Sequence, residues 1–394
     1  MILLPRTSFE EGVERLRDEF RGIFSHETIQ RFVDESITAL ADARVKAFVP
    51  VRQSIRSRVP KRPRPGAGIA RRRGRKTRKG RGQVQFVPTG PQRGAPMKYG
   101  VTVPNFGDCF DPRTLAEMAS EAEAASWDGF FIWDHVQFVP TPTVDPWIAL
   151  AAIALATERI RIGPMVTPLP RRRPVKLARE TVSLDHLSRG RLVLGVGTGA
   201  GPWEWDYLGE EIDPRVRAAM LDEGLDLVTR LWAGKPVLHA GRFYHYRGDF
   251  GPGRPEVNPT PLLPPSLQSP RIPIWVGGTW PKKPPFRRAA RWDGVVPLGP
   301  DRGAGPHMTP DDVRDMLTFI RQYRTDSEPF DVVIGGHTDS PNRTVDRSTV
   351  ESYVQAGATW WLEDVSPWSF GWTWQGEWPF AAMRERIRSG PPKV

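Results

Sequence analysis

Residues 161–201, RIGPMVTPLPRRRPVKLARETVSLDHLSRGRLVLGVGTGAG, read as one strand–loop–helix–strand unit. Ile160, Ile162 and Val166 form a β-branched run that Pro168 and Pro170 end. Pro174 suits a first helical turn, where its missing N–H leaves no intrahelical bond unmade. Val175, Leu177, Ala178, Thr181, Val182, Leu184 and Leu187 then recur at helical spacing and give one apolar face. Gly190 stops the helix. Arg191–Val196 is a nearly continuous apolar run, as a strand covered on both faces should be. It ends in Gly197-Thr198-Gly199-Ala200-Gly201, where bare backbone can approach a ligand. The unit is therefore βαβ, with glycines at the carboxyl end of its second strand, the edge where α/β proteins bind ligands.

The same alternation extends both ways from this unit. Upstream, Tyr99–Val103 and Gly129–Trp133 read as strands, with helices at Pro112–Ser126 and Pro146–Thr157. Downstream a helix is expected at Arg217–Trp232, then an interruption. Val237–Tyr246 reads as a hairpin turning near Gly241, followed by a proline-rich loop to Pro270. Strands resume at Ile272–Val276, Gly294–Pro297, Phe330–Ile334 and Thr359–Leu362, with helices at Pro284–Arg291, Asp311–Arg324 and Thr349–Ala356. Eight strands alternating with helices fit a (β/α)8 TIM barrel with an insertion at about 235–271 better than an open doubly wound sheet. The barrel domain is expected to span residues 97–392.

The 394-residue chain has a formal charge of +11, and that charge is concentrated. Residues 52–96 hold 15 Lys and Arg and no acid, so the remainder sums to 11 − 15 = −4. This Arg/Pro/Gly-rich stretch has almost no large apolar residue and is expected to be a disordered linker. It is the only support for an alternative function, a protein that associates with nucleic acid or an anionic membrane while its barrel stays non-catalytic. Elsewhere nothing favours a nucleic-acid surface. No apolar run reaches the roughly 18–20 residues of a membrane span. One cysteine, Cys109, and no signal-peptide core suit a cytoplasmic protein. Residues 1–51 read as a small helical segment, with a capping box at Ser8/Glu11 and Phe9, Val13, Leu16, Phe20 and Ile23 at helical intervals. Residues 24–51, FSHETIQRFVDESITALADARVKAFVPV, resemble the three-helix amino-terminal domain found ahead of tyrosine-phosphatase-like arsenate reductases.

Six motifs occur in order from Met97 to about Pro300: VTVPNFG (101–107), GFFIWDHV (129–136), RIRIGPMVTPLPRRRP (159–174), ETVSLDHLSRGRLVLGVGTG (180–199), DEGLDLVTRLWAG (222–234) and PIWVGGTWP…RRAARWDGVVP (273–297). Together they resemble the bacterial-luciferase-like oxidoreductases. That resemblance implies a barrel holding FMN or coenzyme F420 at its carboxyl mouth. A small organic substrate would there undergo monooxygenation or hydride transfer. Relatives are often dimers, so the resemblance also implies a homodimer.

The candidate site follows from those motifs. Asp134-His135 closes the second strand, and a histidine there can donate or accept a proton beside a reacting ring. The resemblance makes His135 the acid/base and Asp134 a cofactor contact or an orienting group; the plainer reading is a pair that caps a loop. Pro164, Met165 and Thr167 end the third strand, where relatives carry a non-proline cis peptide behind the ring. Alignment puts it at Pro164–Met165, with Thr167 at the ring edge or ribityl chain. Thr198 and Gly199, and Gly277, Gly278 and Thr279, are candidate cofactor loops whose backbone N–H groups can surround a phosphate. Glycines also mark tight turns for steric reasons alone. A lysine of some deazaflavin enzymes is absent at Leu298–Asp301, and Lys282, Lys283, Arg287 or Arg288 would supply its charge. Ala200 replaces a carboxylate of sugar-phosphate-oxidising relatives. No metal ligand set is expected. Trp203, Trp205, Trp280 and the run Trp360-Trp361…Trp368…Trp372-Thr-Trp374…Trp378 suit either an aromatic substrate pocket or core and subunit packing.

Overall fold

The computed structural model describes residues 96–138, 140–201, 204–247, 259–300, 308–325, 327–338 and 343–392. The helical segment and basic linker expected over residues 1–95 lie outside them, as do Trp203, His307 and Asp301.

The chain runs β1 (Lys98–Val103), α1 (Pro112–Ala124), β2 (Gly129–Ile132), α2 (Pro146–Ala156), β3 (Arg161–Pro164), β4 (Thr167–Pro168), α3 (Pro174–Leu187), β5 (Leu194–Gly197) and α4 (Pro214–Trp232). A two-stranded ribbon follows, β6 (His239–Ala240) with β7 (His245–Tyr246). The series resumes with β8 (Ile274–Thr279), α5 (Lys283–Ala289), β9 (Gly294–Leu298), α6 (Pro310–Arg321), β10 (Asp331–Gly336), α7 (Arg343–Ala356), β11 (Trp360–Asp364) and α8 (Phe380–Arg388). Helix starts are marked in the sequence by an acid or threonine followed by proline. Asp111, Asp145 and Asp213 each cap the following backbone N–H groups, and Thr309 forms a reciprocal capping box with Asp312.

Nine parallel strands form one sheet in the order β3-β2-β1-β11-β10-β9-β8-β5-β4. Its two ends, β3 and β4, are consecutive halves of one run. Ile162 of β3 bridges to Leu192, with Ile162 N donating to Arg191 O at 3.1 Å and Val193 N to Ile162 O at 2.9 Å. The sheet thus curls back on itself as a nearly closed barrel, with the β6–β7 ribbon as its insertion. Alternation along the strands sorts the core in two. Phe131, Val193, Trp275, Val333, Trp360 and Leu362 fill the barrel interior. Their neighbours, such as Phe130, Val276 and Trp361, pack against the helices.

The third strand differs from its sequence reading. It breaks at Met165–Val166, which carries the non-proline cis bond, and restarts at Thr167 instead of running through to Pro168. The expected cis bond at Pro164–Met165 is therefore one residue too early. Pairing explains the shift: Pro164 still lies opposite Ile132, and Met165 N still donates to Ile132 O at 2.7 Å. Register holds until Met165 has bonded, and only then does the chain turn. Helix α7 begins at Arg343 rather than Thr349, and α8 was not expected from sequence at all. Arg384 and Arg388 of α8 pair with Glu121 of α1, and Trp127 Nε1 donates to Ile387 O at 2.8 Å. No helix among the described residues is long and apolar enough to cross a membrane.

Candidate active site

The carboxyl ends of the parallel strands form one rim, and Asp134, His135, Pro164, Met165, Thr167, Thr198, Gly199 and Gly277–Thr279 stand at or just past those ends. Val103 ends β1, and Asn105 follows, fully buried. Its amide donates to His135 O at 2.8 Å and Val144 O at 2.7 Å, while its oxygen accepts from His135 N at 3.2 Å. One side chain therefore ties the loop after β2 to the loop after β1. It makes the Asp134-His135 turn part of the scaffold.

Asp134 and His135 point their functional groups at different partners. The Asp134 carboxylate is buried, accepting from Thr167 Oγ1 at 2.7 Å and Arg172 Nη2 at 2.6 Å. Thr167 is itself fully buried. These two candidates thus meet each other across β2 and β4. In this geometry both hydrogen-bonding groups serve to fix the strand ends. His135 Nδ1 lies 2.6 Å from Glu204 Oε1, and its side chain is 14 % exposed. Its Nε2 has no protein partner among the described residues.

Glu204 was missed in the sequence. It stands just past the β5 glycines, where Glu204 N bonds Gly201 O in a single tight turn. Its Oε2 accepts from Ala200 N at 3.4 Å, and Arg171 Nη1 approaches Oε1 at 3.4 Å. Burial pushes its carboxyl pKa up, but the His135 hydrogen bond and the His135 and Arg171 charges outweigh that and hold it below the usual 4.5. The sequence offers one signal, that Glu204 is the first carboxylate after the glycines, at the start of EWDYLGEE. Glu204 lies four residues beyond Ala200.

Arg171 and Arg172 were also unassigned. Their guanidinium groups flank Asp134, with Arg171 Nη2 donating to Asp134 O at 3.2 Å. Yet Arg171 Nε and Nη1, Arg172 Nε and the buried Trp205 Nε1 make no hydrogen bond. Such orphaned donors are rare in a finished core.

The glycines divide by what occupies the space above them. A Cβ at Gly197 would lie 2.9 Å from Val166 Cγ2, and one at Gly277 3.2 Å from the same atom. Val166 therefore forms a shelf across β5 and β8, and its turn is what lifts it there. Gly199, at φ +91°, packs its Cα face on Trp205, and Gly278 packs on Pro285. Gly335, by contrast, faces open space. The Thr198 and Thr279 hydroxyls are half-buried and make no hydrogen bond to the described residues. Met165 packs on the interior cluster. Of the cations proposed to replace the absent lysine, Arg288 is buried against Asp222, and Arg287 lies over Tyr323. Lys283 sits over Trp280, leaving Lys282 exposed.

Around His135 the rim is aromatic. Phe106, Trp133 and Phe138 meet its ring at centroid distances of 5.6, 5.9 and 5.3 Å. Trp133 stacks nearly parallel on Trp368. Trp360 and Trp361, by contrast, belong to the core. His186, on the far side, bonds Pro265 O at 2.9 Å and is structural.

The comparisons with known proteins agree with this fold. A model of the luciferase-like monooxygenase family matches residues 86–339, and one of a protein-tyrosine-phosphatase-like N-terminal domain matches residues 9–54. The chain is 34 % identical over 167 residues to an F420-dependent glucose-6-phosphate dehydrogenase of Gordonia bronchialis, covering 39 % of this chain and 47 % of that one. It is 36 % identical over 161 residues to an enzyme of the same description from Beutenbergia cavernae, covering 39 % and 46 %. The chain thus spans about half the length of the curated relatives it matches. Among solved structures, monooxygenase RslO1 from Streptomyces bottropensis aligns with a TM-score of 0.57 at 20 % identity, covering 74 % of this chain and 97 % of that one. A coenzyme F420-dependent tetrahydromethanopterin reductase from Methanopyrus kandleri aligns with a TM-score of 0.57 at 15 % identity, covering 75 % and 97 %. These two share the fold. On the extent of the family match, this chain belongs to the luciferase-like monooxygenase family.

Proposed function

We propose that the protein is an oxidoreductase that moves hydride between a small alcohol or carbonyl substrate and a deazaflavin of the F420 type. The observation that carries this reading is the His135–Glu204 contact of 2.6 Å on the catalytic rim. Oxidising an alcohol requires a base for the hydroxyl proton as hydride leaves carbon, and a carboxylate-oriented imidazole is suited to that task. Glu204 accepts from Nδ1–H and fixes the tautomer, so that Nε2 is the atom that takes the proton.

The residues present fit such a cofactor. Val166 offers an apolar shelf over Gly197 and Gly277, Gly335 faces open space two strands on, and the Thr198 and Thr279 hydroxyls make no hydrogen bond to the described residues. Val166, with Met165 beneath it, would back the ring. Thr198, Gly199 and the backbone of Gly277–Thr279 would hold its polar substituents and phosphate. When bound, the cofactor supplies the two-electron chemistry. Asp134, Thr167 and Arg172 lock the loops that carry His135. The second reading, monooxygenation with FMN, is favoured by the aromatic, water-excluding rim. Titrating the full chain with F420 and FMN separates the two. Fluorescence changes at micromolar F420 but not FMN, with alcohol-dependent F420 reduction, are expected. Binding of FMN alone would replace the first reading with the second, and binding of neither would refute both.

A further inference from the structure

The aromatic half of the rim has a chemistry that the glycine half lacks. From the rings around His135, contact continues through Trp368 to Trp374, whose centroids lie 5.0 Å apart. Trp374 is 62 % exposed, while Trp133, Phe138 and Trp368 are half-buried. Clustered, partly exposed indoles beside a reactive imidazole form a binding surface, because an apolar patch left facing water is costly without a ligand to cover it.

The charge of the wall is equally one-sided. Residues 104–111 contain Asp108 and Asp111, residues 361–379 contain Asp364 and Glu377 besides Glu363, which is buried against Arg386, and neither segment has a Lys or Arg. Burial, helped by the Glu377 charge, holds the Asp108 carboxyl above its usual range. Burial does the same for Asp364, whose Oδ1 has no hydrogen-bond partner. The charges of Arg171 and Arg172 on the rim are balanced by the carboxylates of Asp134 and Glu204, although three of their N–H donors stay unbonded. An anion brought to this wall would lose its hydration and find no Lys or Arg of these two segments to replace it.

We propose that this wall selects the substrate of the site: a neutral aromatic alcohol, or the carbonyl compound it interconverts with, to the exclusion of phosphorylated substrates. The proposal rests on the redox reading above. With the deazaflavin bound, that cofactor would accept hydride from the alcohol carbon while His135 took the hydroxyl proton, leaving the carbonyl. The aromatic body lies against Trp368 and Trp374.

Calorimetric titration of the full chain, with F420 present, tests it using 1-naphthalenemethanol and its phosphate monoester, which share one apolar body. The alcohol is expected to bind at least about tenfold more tightly than the ester. Trp374→Ala should weaken the alcohol about three- to tenfold and leave F420 affinity unchanged. Glu377→Gln should narrow the gap between alcohol and ester. Equal affinities for the two probes, or alcohol binding unchanged in both Trp374→Ala and Trp368→Ala, would overturn the proposal. F420 binding without alcohol binding sinks only this proposal. Alcohol binding without F420 binding sinks the redox reading on which it stands.

Discussion

At the base of the barrel Arg191 uses all five of its side-chain N–H donors, on Ser188 O, Thr157 Oγ1, Ile160 O, Ala154 O and Thr157 O. Asp331, which opens β10 at the same end, accepts from Trp275, Thr359 and Trp360. At the mouth Arg171 is just as deeply buried, yet its Nε and Nη1 are unbonded, and so is Asp364 Oδ1. An unmet buried polar group costs about 1–3 kcal/mol, and the contrast between these two arginines is a difference of that kind: Arg191 is fully satisfied and Arg171 is not. The Arg191 network ties the base together, whereas Arg171 lies beside the proposed acid/base pair His135 and Glu204. Substitutions at the two ends should therefore separate loss of fold from loss of function.

The largest effect is expected at the base. Arg191→Ala strands four carbonyls and a hydroxyl, and should lower unfolding free energy by about 3 kcal/mol or more, read by urea denaturation. An unchanged midpoint would erase the contrast between the two ends. Next, Glu204→Gln at the mouth should cut turnover about 10²-fold while leaving the denaturation midpoint within about 1 kcal/mol, and should reshape the pH profile of kcat. Glu204→Asp should restore part of the rate. A variant that merely unfolds would show Glu204 to be structural.

Gly199→Ala comes third. A methyl there would lie 1.8 Å from Trp205 at φ +91°, so about 1–2 kcal/mol of backbone cost is joined by displacement of the ring. Cofactor affinity should fall more than stability.

Acid sensitivity sharpens the comparison further. The folded Glu204 carboxyl sits below the usual 4.5, so the unfolded chain binds more protons below that pH. Its contribution is whole above about pH 4.5 and is lost as pH falls through the folded value. Asp331 at the base is held high by burial, and its contribution has the opposite sign, falling as pH rises through its raised value. Glu204→Gln should flatten the acid limb of a stability profile, and a limb left unchanged would contradict the assignment. The smallest effect is reserved for Trp374→Ala. At 62 % exposure it should change stability by less than about 0.5 kcal/mol, whatever it does to ligand binding.

The repeating βα order was legible because its signals are local. Asp-Pro caps, glycine stops and apolar runs each depend on a few neighbouring residues, and Asp134, Met165, Thr198 and Gly278 could be assigned to strand ends on that basis. Helix α8 was not, because its partner Glu121 lies more than 260 positions away and its own sequence has no strong cap. The position of the cis bond escaped for a similar reason: it depends on which residue last bonds to β2, and that is a matter of register.

What the sequence by itself determined is the family, the barrel and the rim on which chemistry would sit, since each is written in contiguous motifs. Only the tertiary structure paired His135 with Glu204, joined Asp134 to Thr167 and Arg172, set Val166 over two glycines, and separated the core tryptophans from those of the wall. Each of these is a contact between side chains on different strands. Its existence depends on how the sheet curls and closes, which no local run of residues specifies.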